Sequence, residues 1–135
     1  MDESEIRVVV AWHTALNDGD VDRVVALPHP DVEIGGPRGT AHGADVLREW
    51  VGRANIRLDP QRVFRRAETV VVEQAAEWRE AGTGVVASHD TVAAVFVVRD
   101  ERIARLARYP DLAAALAAAG LDGGDEVRPD EPAES

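Results

Sequence analysis

The side chains able to do chemistry in this sequence are few and scattered. There is no cysteine, which removes thiol nucleophiles, disulfides, thiolate zinc sites and iron–sulfur clusters by count alone. The four histidines, His13, His29, His42 and His89, show neither a His-x-x-x-His nor a His-Glu-x-x-His spacing, so no metal and no cofactor are expected. The run Gly35-Gly36-Pro37-Arg38-Gly39 lacks the Lys-Ser/Thr pair and the helix placement of a phosphate loop. Trp12, Trp50 and Trp78 are large rigid surfaces in a chain with two phenylalanines and one tyrosine. They read either as walls of a pocket for a flat or greasy ligand or as core filling. Glu33 and Arg38 flank the glycine run at the expected pocket mouth, where charge is otherwise ordinary exposed surface. His13 falls on the apolar stripe of a helix, the usual place of a hydrogen-bonded core histidine.

These residues need elements to position them. Ser4 is a suitable N-cap, and Ile6, Val9, Val10, His13 and Leu16 recur at spacings of three and four, one stripe of a first helix ending near Asn17-Asp18-Gly19. Asp20 caps a short second helix with Val21, Val24, Val25 and Leu27 inward, stopped by Pro28 and Pro30. A short strand over 32–34 leads into a loop through the glycines of 35–43. A third helix over 44–53 turns Val46, Leu47, Trp50 and Val51 to one side. From Ile56 onward, β-branched runs at 62–64, 69–78, 84–98 and 102–109, separated by turns at 81–83 and 99–101, read as antiparallel strands. Asp111 then opens an alanine-rich helix that stops at Gly120.

The chain has 135 residues, the length of one domain, and 45% of them are apolar, enough for a sizeable core. Net charge is −10, and all 15 basic residues are arginine. Residues 122–135 join Gly, Pro and acidic residues to one large apolar side chain, and are expected to be a disordered acidic tail to a domain over 1–121. An acidic surface without a basic stripe argues against nucleic acid and anionic membranes as partners. With no apolar run near the ~20 residues of a membrane span and an acidic N-terminus, a soluble cytoplasmic protein is expected.

The order of elements is α+β. Together with Ala15-Leu16-Asn17-Asp18-Gly19-Asp20-Val21-Asp22, Pro30-Asp31-Val32-Glu33, Gly39-Thr40-Ala41-His42-Gly43 before Leu47-Arg48-Glu49-Trp50, and Val98-Arg99-Asp100-Glu101-Arg102-Ile103, it resembles the nuclear transport factor 2-like superfamily. That superfamily includes ketosteroid isomerases, limonene epoxide hydrolases and SnoaL-like polyketide cyclases, and the resemblance runs over roughly residues 6–121. It implies a cone-shaped, strongly bent, mixed or antiparallel sheet wrapped by about three N-terminal helices and a C-terminal one, enclosing a pocket. It also implies a homodimer through the outer face of the sheet, in keeping with apolar residues on both faces of 84–98.

By similarity, the three working positions of ketosteroid isomerases fall at Gly36, Trp12 and Ala93, which carry no carboxylate or phenol, so that chemistry is absent. The last-strand aspartate of limonene epoxide hydrolases falls at Arg108, and that chemistry is absent too. SnoaL-like cyclases resemble the chain at Asp111, nine residues ahead of Gly120, which the resemblance makes a candidate base. An N-cap role for Asp111 is the plain alternative. Taking Ala93 as pocket-facing brings Thr91, His89 and Ala87 with it, since residues two apart on a strand share a face. His89 then becomes a candidate base or ligand-binding group, with a surface histidine as the alternative. The expectation is a small-molecule-binding domain for an apolar or polycyclic ligand, its site drawn from Trp12, Glu33, Trp50, Trp78 and His89. The alternatives are a cofactor-independent isomerase, cyclase or hydratase using Asp111 or His89, and a dimerisation scaffold with a filled pocket.

Overall fold

The computed structural model describes residues 4–36, 39–54, 56–79, 83 and 85–127, with backbone alone at 4, 36, 50–54 and 87. The N-terminal apolar stripe forms α1 (Ser4–Asn17). Its inward face is Ile6, Val9, Trp12, His13, Ala15 and Leu16, whereas Val10, expected on the stripe, is 40% exposed. Both Val10 and Trp12 are compatible with a 3.6-residue period, and the larger ring takes the inward position. Asn17 fastens the end of this helix to a strand by exchanging two hydrogen bonds with the Leu58 backbone, at 2.8 and 2.9 Å. Asp20 caps α2 (Val21–Ala26) by accepting the Arg23 N–H, and Val24 is buried.

The sheet begins earlier than the sequence pattern predicts, with β1 (Pro28–Gly36). Prolines are tolerated there because the pairing register breaks between Pro28 and Glu33. The glycine run is a hairpin rather than a loop: β1 pairs antiparallel with β2 (Gly39–His42), and Gly39 has φ +121°, a conformation that favours glycine. Arg38 lies outside the described residues. The next helix, α3 (Ala44–Ala54), buries Leu47 but leaves Val46 exposed; the side chains of Trp50 and Val51 lie outside the described residues.

Four long strands follow: β3 (Ile56–Arg66), β4 (Thr69–Arg79), β5 (Val86–Arg99) and β6 (Arg102–Tyr109). Asp100 and Glu101, both with positive φ, make the tight turn between the last two, matching the right-handed strand twist. After α4 (Leu112–Ala119), the residues expected to begin a disordered tail form a 3-10 turn at Gly123–Asp125 and a short strand β7 (Glu126–Val127) on the β3 edge. Arg62 holds Glu126 through two hydrogen bonds of 3.0 Å, and Arg66 holds Asp125 at 2.8 Å, partners too distant in sequence for composition to reveal. Residues 128–135 lie outside the described residues. The result is an α+β fold around one curved sheet of order β2-β1-β6-β5-β4-β3-β7, parallel only between β1 and β6. No helix among the described residues is long and apolar enough to cross a membrane.

Both sheet faces are apolar, and each has its own cover. On the inner face Val70, Val72, Ala94, Phe96, Val98 and Leu106 pack against Ile6, Val9, Trp12 and Leu16 of α1. Complete burial of Phe96 alone contributes about 1.5–3 kcal/mol. On the outer face Phe64, Val71, Ala93 and Val95 lie under Ala115 of α4 and Leu121. The second apolar face of β5, which suggested a partner subunit, is thus covered in part by the chain's own last helix.

Candidate functional site

A cavity lies between α1 and the inner face of the sheet. Trp12 comes from α1, Leu58 from β3, Gln74 from β4, Val92, Ala94 and Phe96 from β5, and Leu106 and Arg108 from β6. Cross-strand pairing accounts for the strand residues, because Gln74 stands opposite Val92, Ala94 opposite Arg108, and Phe96 opposite Leu106. Arg108 is exposed, so the cavity reaches the surface beside it. The space open to the centre of a water molecule is about 10 Å³, room for a single water.

Three polar groups interrupt the apolar lining. The Trp12 indole is edge-on to Phe96, at 5.5 Å between ring centroids, and its buried N–H has no acceptor among the described residues. A buried donor left unpaired costs about 1–3 kcal/mol. Gln74 is buried and bonded through its amide nitrogen to Nε2 of His13, 2.8 Å away. Arg108 adds positive charge at the rim, with its pKa lowered by partial loss of solvent.

His13 stands behind this lining rather than in it. Its Nδ1 is 2.8 Å from the Val9 carbonyl. Burial lowers its pKa to about 4, against weaker opposing effects of that hydrogen bond and of the Asp59 charge, so the imidazole is neutral at physiological pH. The described lining residues include no carboxylate and no histidine, which leaves hydrogen bonding and charge, not proton removal, as what they offer. Among the described residues no group of three or more His, Asp or Glu is arranged to hold a metal ion.

The candidate residues part company here. Trp12 lines the cavity, and Trp78 lies on the same inner face, half-buried against the core. His89 does not: it pairs with Glu77, shares the Ala93 face that α4 covers further along, and is exposed. The inner face of β5 is the even one, carrying Val92, Ala94 and Phe96, so taking Ala93 as pocket-facing puts His89 on the wrong side. Glu33 is likewise on the outer face, 2.9 Å from Arg105 and 3.8 Å from His42. Asp111 is exposed, caps α4 by accepting the Ala114 N–H at 2.8 Å, and is not in the cavity wall. Trp50 belongs to α3, its side chain outside the described residues. Gln74 is the residue missed; its signal is a lone amide amid the apolar run of β4, in step with Val72 and Ala76.

Comparison with known proteins adds the family. The sequence pattern of the SnoaL-like domain matches residues 9–106. The fold is similar to that of a nuclear transport factor 2-like protein of unknown function from Cytophaga hutchinsonii, at 14% identity over 82% of this chain and 93% of that one, with a TM-score of 0.69. It is also similar to TerC, co-crystallised with polyporic acid, at 22% identity over 83% and 95%, TM-score 0.70. A third similar structure is the epoxide hydrolase/cyclase-like enzyme SalBIII, which has a role in pyran ring formation in the polyether salinomycin, at 18% identity over 78% and 88%, TM-score 0.69. At these identities the likeness is one of fold, which does not carry function with it. No curated protein matches the sequence.

Proposed function

The chain belongs to the SnoaL-like domain family of the nuclear transport factor 2-like superfamily, and on that footing we propose that it is a small-molecule-binding domain whose site is the cavity beside Trp12. One observation carries this reading: Trp12, whose buried indole N–H has no acceptor among the described residues, lines an apolar cavity that reaches the surface beside Arg108. A ligand oxygen that reaches Trp12 relieves the unpaired donor, and because the enclosed space has room for one water, the body of the ligand lies at the opening beside Arg108, which favours negative charge there. Similar folds hold or process small molecules: TerC is crystallised with polyporic acid, and SalBIII acts in pyran ring formation. The described lining lacks a general base, so binding is favoured over turnover.

A cytoplasmic homodimer belongs to the same proposal. The sheet surface available for it is what α4 leaves uncovered, near Val85 and Val86, 58% and 44% exposed. Sedimentation as a monomer at micromolar concentration would remove the dimer.

The test of binding is native mass spectrometry of freshly purified protein, repeated after denaturation, with a thermal-shift screen of small apolar oxygen-bearing compounds. A molecule released on unfolding, or stabilisation that grows with ligand concentration, is expected. An empty protein that no compound stabilises would favour a scaffold with a filled pocket.

A further inference from the structure

The sheet edge at β3 is closed by the chain's own C-terminal segment, and the closure is thin. β7 pairs with two residues of β3, Val63 and Phe64, and no other strand lies along that edge among the described residues. The segment crosses the edge from one face to the other: Leu121 is buried in the outer cluster, and Val127 packs on the inner one. Between them residues 122–124 and 126 are exposed and Asp125 is half-buried, so charge and a two-residue ladder hold this stretch. Arg62 meets both carboxylate oxygens of Glu126 at 3.0 Å, and its guanidinium lies 5.1 Å over the Phe64 ring. Arg66, on the other side of Phe64, reaches Asp125 at 2.8 Å and the Gly120 carbonyl at 2.9 Å. β3 carries four arginines against one aspartate in a chain of net charge −10. Arg57 and Arg65 are engaged by Asp59 and Glu5, whereas Arg62 and Arg66 serve the segment, with Glu73 of β4 opposite Arg62.

We propose that the β3 edge between Arg62 and Arg66 is a docking site for an acidic extended segment of a partner protein, added as an antiparallel strand, and that residues 122–127 occupy it in cis as a built-in competitor. The cis segment shows what the edge recognises. The backbone groups of Val63 and Phe64 pair an extended chain, as sheet edges do in strand addition. Arg66 and Arg62 take two successive carboxylates, the second through two parallel N–H···O bonds that favour a carboxylate over a neutral side chain. An apolar residue then turns onto the inner face, as Val127 does. Exposed ion pairs are individually weak and screened by salt, and segments with few buried contacts open without unfolding the domain. A partner binds the open form, so its apparent affinity is reduced by the fraction of chains that are open, and loosening the cis segment raises it. None of these residues lines the cavity beside Trp12, so this site is independent of the ligand reading.

The probe is a peptide with the sequence of residues 122–127, titrated into the full chain while the backbone amide signals of β3 are followed by NMR. The double variant Asp125→Asn, Glu126→Gln removes both charges of the cis segment, leaves β3 untouched and keeps an acceptor for the Asp122 N–H. It should bind the peptide about tenfold more tightly than the unaltered protein, with the largest shifts at Val63 and Phe64, and the affinity should fall as salt is raised. Adding Arg62→Gln and Arg66→Gln to that variant should remove the binding, and a peptide with Asn and Gln in place of its two adjacent acids should bind neither protein. Unchanged amide signals of β4 and β5 show that each variant keeps the sheet. Equal affinity of the double variant and the unaltered protein would overturn the role of the segment as a competitor. Binding that survives loss of both arginines, or shifts confined to other strands, would overturn the docking site. Dimerisation of the unaltered protein that Arg62→Gln and Arg66→Gln abolish would overturn the assigned occupant in favour of the same segment of a second copy.

Discussion

Lowering the pH from 7 to 5 should destabilise this fold through a single imidazole. His13 is held neutral by burial between α1 and the sheet, with a pKa of about 4 in the folded chain against 6.5 when unfolded. Between those two values the unfolded state binds more protons, so the stabilisation is fully present above pH 6.5 and is lost as the pH falls through 4. At 1.36 kcal/mol per pKa unit, the complete loss is about 3 kcal/mol, and about 2 kcal/mol of it is already gone at pH 5. That is a large share of the ~5–15 kcal/mol that typically separates folded from unfolded domains. The assay is denaturant unfolding at pH 7, 6 and 5 for the unaltered protein and for His13→Gln, which has no proton to gain and can still meet Val9 and Gln74. Every other titratable group is common to both proteins, so the difference between the two curves reports on His13. The stability of the unaltered protein relative to the variant should fall by about 2 kcal/mol from pH 7 to 5. Parallel curves, or an NMR titration placing the His13 pKa near its ordinary value, would refute the reasoning.

Three further substitutions test the placement of the last helix and its caps. Asp111→Ala removes the acceptor of the Ala114 N–H and should cost about 1 kcal/mol in thermal or denaturant unfolding while leaving ligand affinity unchanged; lost affinity with intact stability would return Asp111 to the site. Gly120→Ala meets no atom within 4 Å but forces a side chain onto φ +75°, so its cost should be the backbone's alone, about 1 kcal/mol by the same assay. Ala115→Leu overfills the contact between α4 and the outer sheet face and should destabilise by about 1–3 kcal/mol, whereas no change would mean that α4 does not rest there.

The first three helices were legible because each has one polar and one apolar side, the last because an alanine-rich run lies between an Asp cap and a Gly stop, and the long strands because their β-branched runs end in recognisable turns. What the sequence hid has physical reasons. The glycines of 35–43 carry no alternation of apolar and polar side chains, so the β1–β2 hairpin reads as a loop. β5 is apolar on both faces because α4 covers the outer one, so its pattern cannot say which parity faces the cavity. Parity borrowed at Ala93 then carried His89 to the wrong side, a one-residue error that inverts a whole strand. β7 depends on Arg62 and Arg66 meeting Glu126 and Asp125 across some sixty positions, which composition does not encode. Of the expected site residues, Trp12 reaches the cavity wall, while Gln74 enters it through a pairing with His13 that only the folded chain creates.

The central claim is that the buried indole N–H of Trp12 awaits a ligand oxygen, and its resonance reports on that directly. In a two-dimensional nitrogen–proton spectrum, three indole signals are expected from the three tryptophans, and Trp12→Phe identifies the one that belongs to Trp12. Titration with a compound found by the binding screen should move the Trp12 signal downfield as the N–H gains an acceptor, with saturation at the binding constant measured independently. A saturating ligand that leaves the Trp12 signal in place while shifting resonances elsewhere would put the site outside this cavity and contradict the account.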